Sequence, residues 1–154
     1  MKTSTGIGGL CLAVVIALAG NVSADSVAPK PVQKTIAVGS RSLKLTLSKS
    51  ATDAPPPFVV VFASGDGGLR GASKDVMRHL IARGFWVAAF SSPEAFKGMN
   101  DDGKEKANYA GARDRLKSII TQAKQALGVA DQTSIVIAGM SRGANVVVAG
   151  RRDQ

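Results

Sequence analysis

Thr133 to Ala149, TSIVIAGMSRGANVVVA, is the stretch on which the reading of this chain turns. Ser134 to Ala138 is a short β-branched run that predicts a buried strand, and Val146 to Ala149 resumes an apolar pattern after a turn. Gly139-Met140-Ser141-Arg142-Gly143 therefore falls where a strand turns sharply into a helix, the pattern of a nucleophile elbow. A serine on such a turn has a strained backbone, and side chains on its neighbours would collide; Gly139 and Gly143 remove those side chains. Ser141 Oγ would project above the sheet. The backbone N–H of Arg142, opening the helix, would point toward a developing oxyanion. The alternative is a tight strand-to-helix turn with an incidental serine, since a chain with 17 glycines can produce G-x-S-x-G by chance.

Upstream, Phe58 to Ala63, FVVVFA, is apolar at every position, as in a strand covered on both faces of a parallel sheet. Gly65-Asp66-Gly67-Gly68 follows at once. Val76, Met77, Leu80 and Ile81 then predict a helix over Ser73 to Arg83, with Gly84 as its stop and a second buried strand over Phe85 to Phe90. After a long loop from Ser91 to Gly103, a helix from about Lys104 to Leu127 carries Tyr109, Ala112, Leu116, Ile119, Ile120, Ala123 and Leu127 on one face. Gly128 stops it before the elbow strand. Before all of this, Lys34 to Val38 and Ser42 to Ser48 flank Gly39-Ser40. Leu43, Leu45 and Leu47 alternate with Lys44 and Thr46, so this is a β-hairpin with one wet face. Ala51 to Pro57 ends in three prolines and is a loop. The order predicts an α/β fold with a mostly parallel central sheet flanked by helices.

The two glycine-rich turns would share the carboxyl edge of the sheet, where open α/β sheets place their ligands. A turn such as Gly65 to Gly68 lets backbone N–H groups approach a negative atom, and Asp66 and Gly67 are the candidate second donors of an oxyanion hole. A dinucleotide phosphate loop is the rival, but G-x-G-x-x-G would need glycine where Arg70 stands. A purely structural turn is the other alternative. His79, the only histidine, lies in the helix between the strands and reads as a surface or packing residue, not as the general base. Asp101, Asp102 and Glu105 cluster near a helix start and read as capping residues.

The first 24 residues differ from the rest. Lys2 is their only charge, Ile7 to Ala19 is nearly unbroken apolar sequence, and Val22-Ser23-Ala24 is the small-x-small pattern of a signal-peptidase site. The expectation is a signal peptide over 1–24, a linker over 25–33 and one domain over 34–154. The apolar stretch is short for a bilayer and is interrupted or flanked by Gly8, Gly9 and Gly20, so no retained membrane helix is expected. Cleavage would remove Cys11, the sole cysteine. With one histidine and no cysteine, neither a metal site nor a cofactor is expected.

The net charge of +9 falls to +8 without Lys2, which favours anionic surroundings such as an envelope surface; ordinary solubility explains it equally well. The basic residues form no run and are not interleaved with aromatics, so nucleic acid is not an expected partner.

The elbow GMSRG, the loop SGDGG and the two β-α units between them resemble the α/β-hydrolase superfamily. More narrowly, VVVFASGDGGLRG, then SKDVMRHLIARGFWVAAFSS, then VIAGMSRGANVV resemble the bacterial virulence protein VirJ family, including the similar domain of AcvB. The resemblance spans about Phe58 to Gly150. Leu69 and Asn145 depart from it, standing where Trp and Asp are expected. It implies a periplasmic protein with Ser141 as nucleophile, hydrolysing a small-molecule or lipid ester of the acyl or aminoacyl kind, aminoacylated phosphatidylglycerol among them.

The superfamily places its acid and histidine after the nucleophile helix. Past Gly143 this sequence has Asp153 as its only acid and no histidine. The resemblance therefore implies a partial domain with an incomplete triad and an open sheet edge at the elbow strand. Two function classes follow: an exported serine hydrolase with impaired activity, or a non-catalytic binding module that keeps the pocket without the triad.

Overall fold

The computed structural model describes residues 30–50, 56–97 and 110–149. They form five strands and four helices in the order β1 (Val32–Val38), β2 (Arg41–Ser48), β3 (Phe58–Ala63), α1 (Gly71–Ala82), β4 (Val87–Phe90), α2 (Ser92–Ala95), α3 (Ala110–Leu127), β5 (Ser134–Gly139) and α4 (Arg142–Ala149). The strands make one sheet ordered β1-β2-β4-β3-β5. β3 pairs in parallel with β4 on one side and β5 on the other, while the β1–β2 hairpin joins antiparallel to β4.

The α/β architecture matches the expectation from sequence. β3 is an interior strand and is buried along nearly its whole length, as its unbroken apolar run implies. In β2, Leu43, Leu45 and Leu47 are buried while Lys44 is exposed, so the hairpin has the wet face that its alternation implies. β1 begins at Val32, two residues inside the stretch read as a linker. β4 begins at Val87, two residues later than the run from Phe85 suggested, and α1 begins two residues earlier than Ser73.

Two apolar layers sandwich the sheet. On one side Val59, Val61, Ala88 and Phe90 pack with Leu116, Ile119, Ala123 and Leu127 of α3 and with Val147 of α4. On the other, Val60, Phe62, Val87 and Ala89 pack with Met77 and Ile81 of α1. Both α1 and α3 end where glycine was expected to stop them. Gly84 (φ +81°) and Gly128 (φ +67°) take left-handed backbone, and each N–H reaches back to Ile81 and Gln125 respectively. The next residues, Phe85 and Val129, bond to Leu80 and Lys124, which completes a Schellman motif at each helix end.

Three differences from the sequence reading have physical causes. The stretch from Ser91 was read as a loop but opens with α2, a single turn nucleated by Ser91 Oγ accepting from the Glu94 N–H, with proline in its first turn. Val76 was placed on the buried face of α1, yet Ser73, Met77 and Ile81 form that face and Val76 is exposed. β5 was expected to be buried; instead it is the sheet edge among the described residues. Ile135 and Ile137 are partly covered from the α3–α4 side, but Val136, on the α1 side, is 46% exposed. β5 pairs with β3 alone among the described strands. Asp101, Asp102, Glu105, Tyr109 and the leader lie outside the described residues.

Candidate active site

β3 and β5 are adjacent and parallel, with Ala63 opposite Gly139, so the turns that follow them emerge side by side at the carboxyl edge. Met140 N–H bonds back to the Ala63 carbonyl at 3.1 Å, tying the elbow to the end of β3. The chain then reverses at Ser141, whose φ is +52°. Among the described residues it is the one non-glycine with positive φ. Holding a side-chain-bearing residue there costs about 1–3 kcal/mol and persists only where the surroundings enforce it.

The surroundings are the two glycines. An ideal Cβ on Gly139 would lie 2.5 Å from the Gly143 carbonyl carbon and oxygen. A Cβ on Gly143 would lie 2.3 Å from the Ala63 oxygen and 2.6 Å from the Ser64 oxygen. Both glycines are therefore required by close backbone approach, as the motif implied. Gly143 and Ala144 N–H groups bond to the Met140 and Ser141 carbonyls at 2.9 Å, closing the first turn of α4. Arg142 opens that helix, so its N–H is one of the groups that a helix start leaves unpaired.

The loop after β3 faces this turn. A Cβ built on buried Gly65 would sit 3.3 Å from Ser141 Cβ. Buried serines fix the loop: Ser73 Oγ accepts from Gly65 N–H at 3.1 Å, and Ser64 Oγ accepts from Ser92 N–H at 3.1 Å while donating to the Gly65 carbonyl at 3.2 Å. Gly68 closes it at φ +69°, with its N–H on the Gly65 carbonyl. The N–H groups of Asp66 and Gly67 make no backbone hydrogen bond among the described residues.

One contact was not foreseen. Ser141 Oγ donates to the Asp66 carboxylate at 3.2 Å, and Arg142 Nε pairs with the other Asp66 oxygen at 2.5 Å. Asp66 thus enters the site through its side chain as well as its backbone. Arg142 and Asp66 are 48% and 60% exposed, so the pair contributes only about 0–1 kcal/mol of stability. Its consequence is geometric, because it holds Ser141, the helix start and the opposing loop in one arrangement. The legible signal was an acid within the glycine-rich turn; what could not be read was which way its carboxylate turns.

His79 is not in the site. It is exposed in the last turn of α1, eight residues beyond the helix start at the carboxyl edge and so roughly 12 Å further along the axis. Among the described residues there is no histidine beside Ser141. The arrangement places a strained serine beside a helix start and a glycine-rich turn.

Solved structures share this frame. A dienelactone hydrolase-like promiscuous phosphotriesterase from metagenomic libraries superposes with a TM-score of 0.64 at 17% identity, over 81% of this chain and 54% of its own. An α/β serine hydrolase homologue from Coxiella burnetii gives 0.58 at 16% identity, over 84% and 61%. A puromycin-hydrolysing peptidase of Mycobacterium tuberculosis gives 0.54 at 18% identity, over 81% and 21%. The chain thus spans about half to three-fifths of the length of the first two. At these identities the likeness establishes the α/β-hydrolase fold. No curated protein matches the sequence. The family model described as bacterial virulence protein (VirJ) matches residues 57–151, a span that includes β3, the 65–68 loop and the elbow; the chain belongs to that family.

Proposed function

We propose that the protein is a serine hydrolase that attacks an acyl or aminoacyl ester through Ser141. The observation that carries this reading is the strained backbone of Ser141, φ +52°, enforced by two glycines opposite a loop whose Asp66 and Gly67 N–H groups make no backbone hydrogen bond among the described residues. In the reaction Ser141 Oγ bonds to the ester carbonyl carbon, and the carbonyl oxygen takes the negative charge facing the N–H of Arg142 and of Asp66 or Gly67. The C–O bond to the leaving alcohol then breaks. The serine proton passes to that alcohol through a base, and water later releases the acyl group.

Asp66 is poorly suited to act as that base. Its carboxylate is already paired with the Arg142 guanidinium, and a carboxylate is a weak proton acceptor from an alcohol. With His79 exposed on a distant turn, a second reading has support: a binding module that keeps the pocket without turnover.

A fluorophosphonate probe separates the two, because it reports an activated serine without requiring a full catalytic cycle. Labelling on the Ser141 peptide, absent in Ser141→Ala, is the expected result. A folded protein that takes no label, or a label that survives Ser141→Ala, would favour the binding module or move the nucleophile.

The substrate we infer is a small-molecule or lipid ester, with aminoacyl phospholipid the candidate that the family membership favours. Its setting is an exported protein cleaved after Ala24, meeting an anionic envelope surface. Among the described residues no helix is long and apolar enough to cross a membrane. Mass spectrometry of the protein recovered from the cell envelope is expected to give Asp25 as the first residue; an N-terminus at Met1 would contradict export by this route.

A further inference from the structure

A cleft of about 420 Å³ opens between the hairpin and the end of α3, at the edge of the sheet opposite the elbow. Its floor is Leu47 and Leu127, both buried in the apolar cluster beneath α3. Ser48, the residue after Leu47, pairs with Val87 at the start of β4, and Leu127 is the last residue of α3, so both mark the amino edge. Ser141 follows the other end of β5, roughly 20 Å away by the length of a six-residue strand.

The apolar wall of the cleft lacks a cover. Val32 shares a face of β1 with the buried Ile36 and Val38, yet it is 64% exposed. The cause is a mismatch of rise: from Gln122, which donates to the Ala37 carbonyl, α3 advances only about 7–8 Å to Leu127, whereas β1 runs about 16 Å from Ala37 to Val32.

The rim is cationic. Lys30, Lys34 and Lys49 line it, no acid does, and none of the three forms an ion pair among the described residues. Nor are they needed to cap α3, whose Lys124 and Gln125 carbonyls already accept from the Val129 and Gly128 N–H groups. Lys49 Nζ instead lies 4.9 Å from the centre of the buried Trp86 ring, whose Nε1 has no hydrogen-bond partner among the described residues.

We propose that this cleft binds a free fatty-acid anion of medium length, its alkyl chain against Val32, Leu47, Ala126 and Leu127 and its carboxylate among the three ammonium groups. A mostly apolar lining with a few placed charges, at this volume, is the make-up of a small-molecule site. An uncharged chain would leave the cations unmatched, and a small anion would leave Val32 in water, so the ligand carries both parts. Lysine stems can lie along the apolar wall while their heads gather round one headgroup. The ligand is not the ester of the elbow, and the site does not depend on whether Ser141 is activated.

Trp86 is the only tryptophan, and with Lys49 on its ring its emission reports on the rim. The full chain is titrated with octanoate and decanoate below their micelle concentrations, with 1-octanol as the uncharged control and octyltrimethylammonium as the cationic one. Both carboxylates are expected to give a saturable change, decanoate tighter by about tenfold for its two extra CH₂ groups. Octanol should bind more weakly than octanoate, and the ammonium should not bind. Val32→Glu and Lys34→Glu should each weaken decanoate binding by about tenfold or more. Lys44→Glu, an exposed lysine on the opposite face of the hairpin, should leave it unchanged.

Equal weakening by Lys44→Glu would reduce the effect to net charge and overturn the proposal, as would indifference to Val32→Glu or to chain length. A response to anionic phospholipid vesicles but not to monomeric carboxylate would make the face a membrane contact, and an emission change on dilution without ligand would make a second copy the occupant; either overturns it. So does the absence of binding by a protein that melts normally.

Discussion

Gly143→Ala is expected to destabilise the protein by about 3 kcal/mol or more, at or beyond the upper end of ordinary overpacking. The added Cβ would lie 2.3 Å from the Ala63 oxygen and 2.6 Å from the Ser64 oxygen, both backbone at the end of β3 and just past it. Neither can step aside as a flexible side chain would. Relief requires α4 to lift from β3, which would also strain the Met140 N–H bond to the same Ala63 carbonyl. For a domain whose total stability is typically ~5–15 kcal/mol, that is a large fraction. The melting temperature should fall by roughly 10 °C or more. Gly67→Ala is the control: a Cβ there meets nothing within 4 Å, so the change should stay within about 0.5 kcal/mol. Equal melting of the two variants would mean that the elbow does not pack against β3.

The second large effect is on rate. General-base assistance contributes ~10²–10⁴-fold to acyl transfer, and the described residues place no histidine near Ser141. The 154-residue chain is therefore expected to hydrolyse short-chain p-nitrophenyl esters slower than a complete triad enzyme by about that factor or more. His79→Ala should leave the residual rate unchanged, and Ser141→Ala should reduce it to the rate in buffer. Fast turnover that is lost in both variants would show that His79 reaches the elbow, contrary to its position on α1.

Much of the frame was legible because single residues determine it. The unbroken apolar runs of Phe58 to Ala63 and Phe85 to Phe90 pointed to buried strands, and β3 and Val87–Phe90 are buried. Gly84 and Gly128 stop helices because they alone can take the left-handed backbone that closes each Schellman motif. The elbow was legible for the same reason, since Gly139 and Gly143 stand where no side chain fits.

What escaped the sequence depends on long-range placement. The exposure of Val136 follows from β5 having one neighbour among the described strands, a fact about strand order that an apolar run does not record. The Asp66 carboxylate reaches Ser141 across 75 positions of sequence only because β3 and β5 are adjacent.

The central claim is that the elbow presents Ser141 as a nucleophile to an ester carbonyl. With no histidine beside Ser141 among the described residues, an acylated serine should be released slowly, so an activated ester ought to leave its acyl group on the protein. Peptide mapping by mass spectrometry after brief exposure to p-nitrophenyl acetate tests this most directly. The account predicts one acetyl group, on Ser141, absent in Ser141→Ala. Acetyl groups spread over surface lysines with Ser141 unmodified would contradict it.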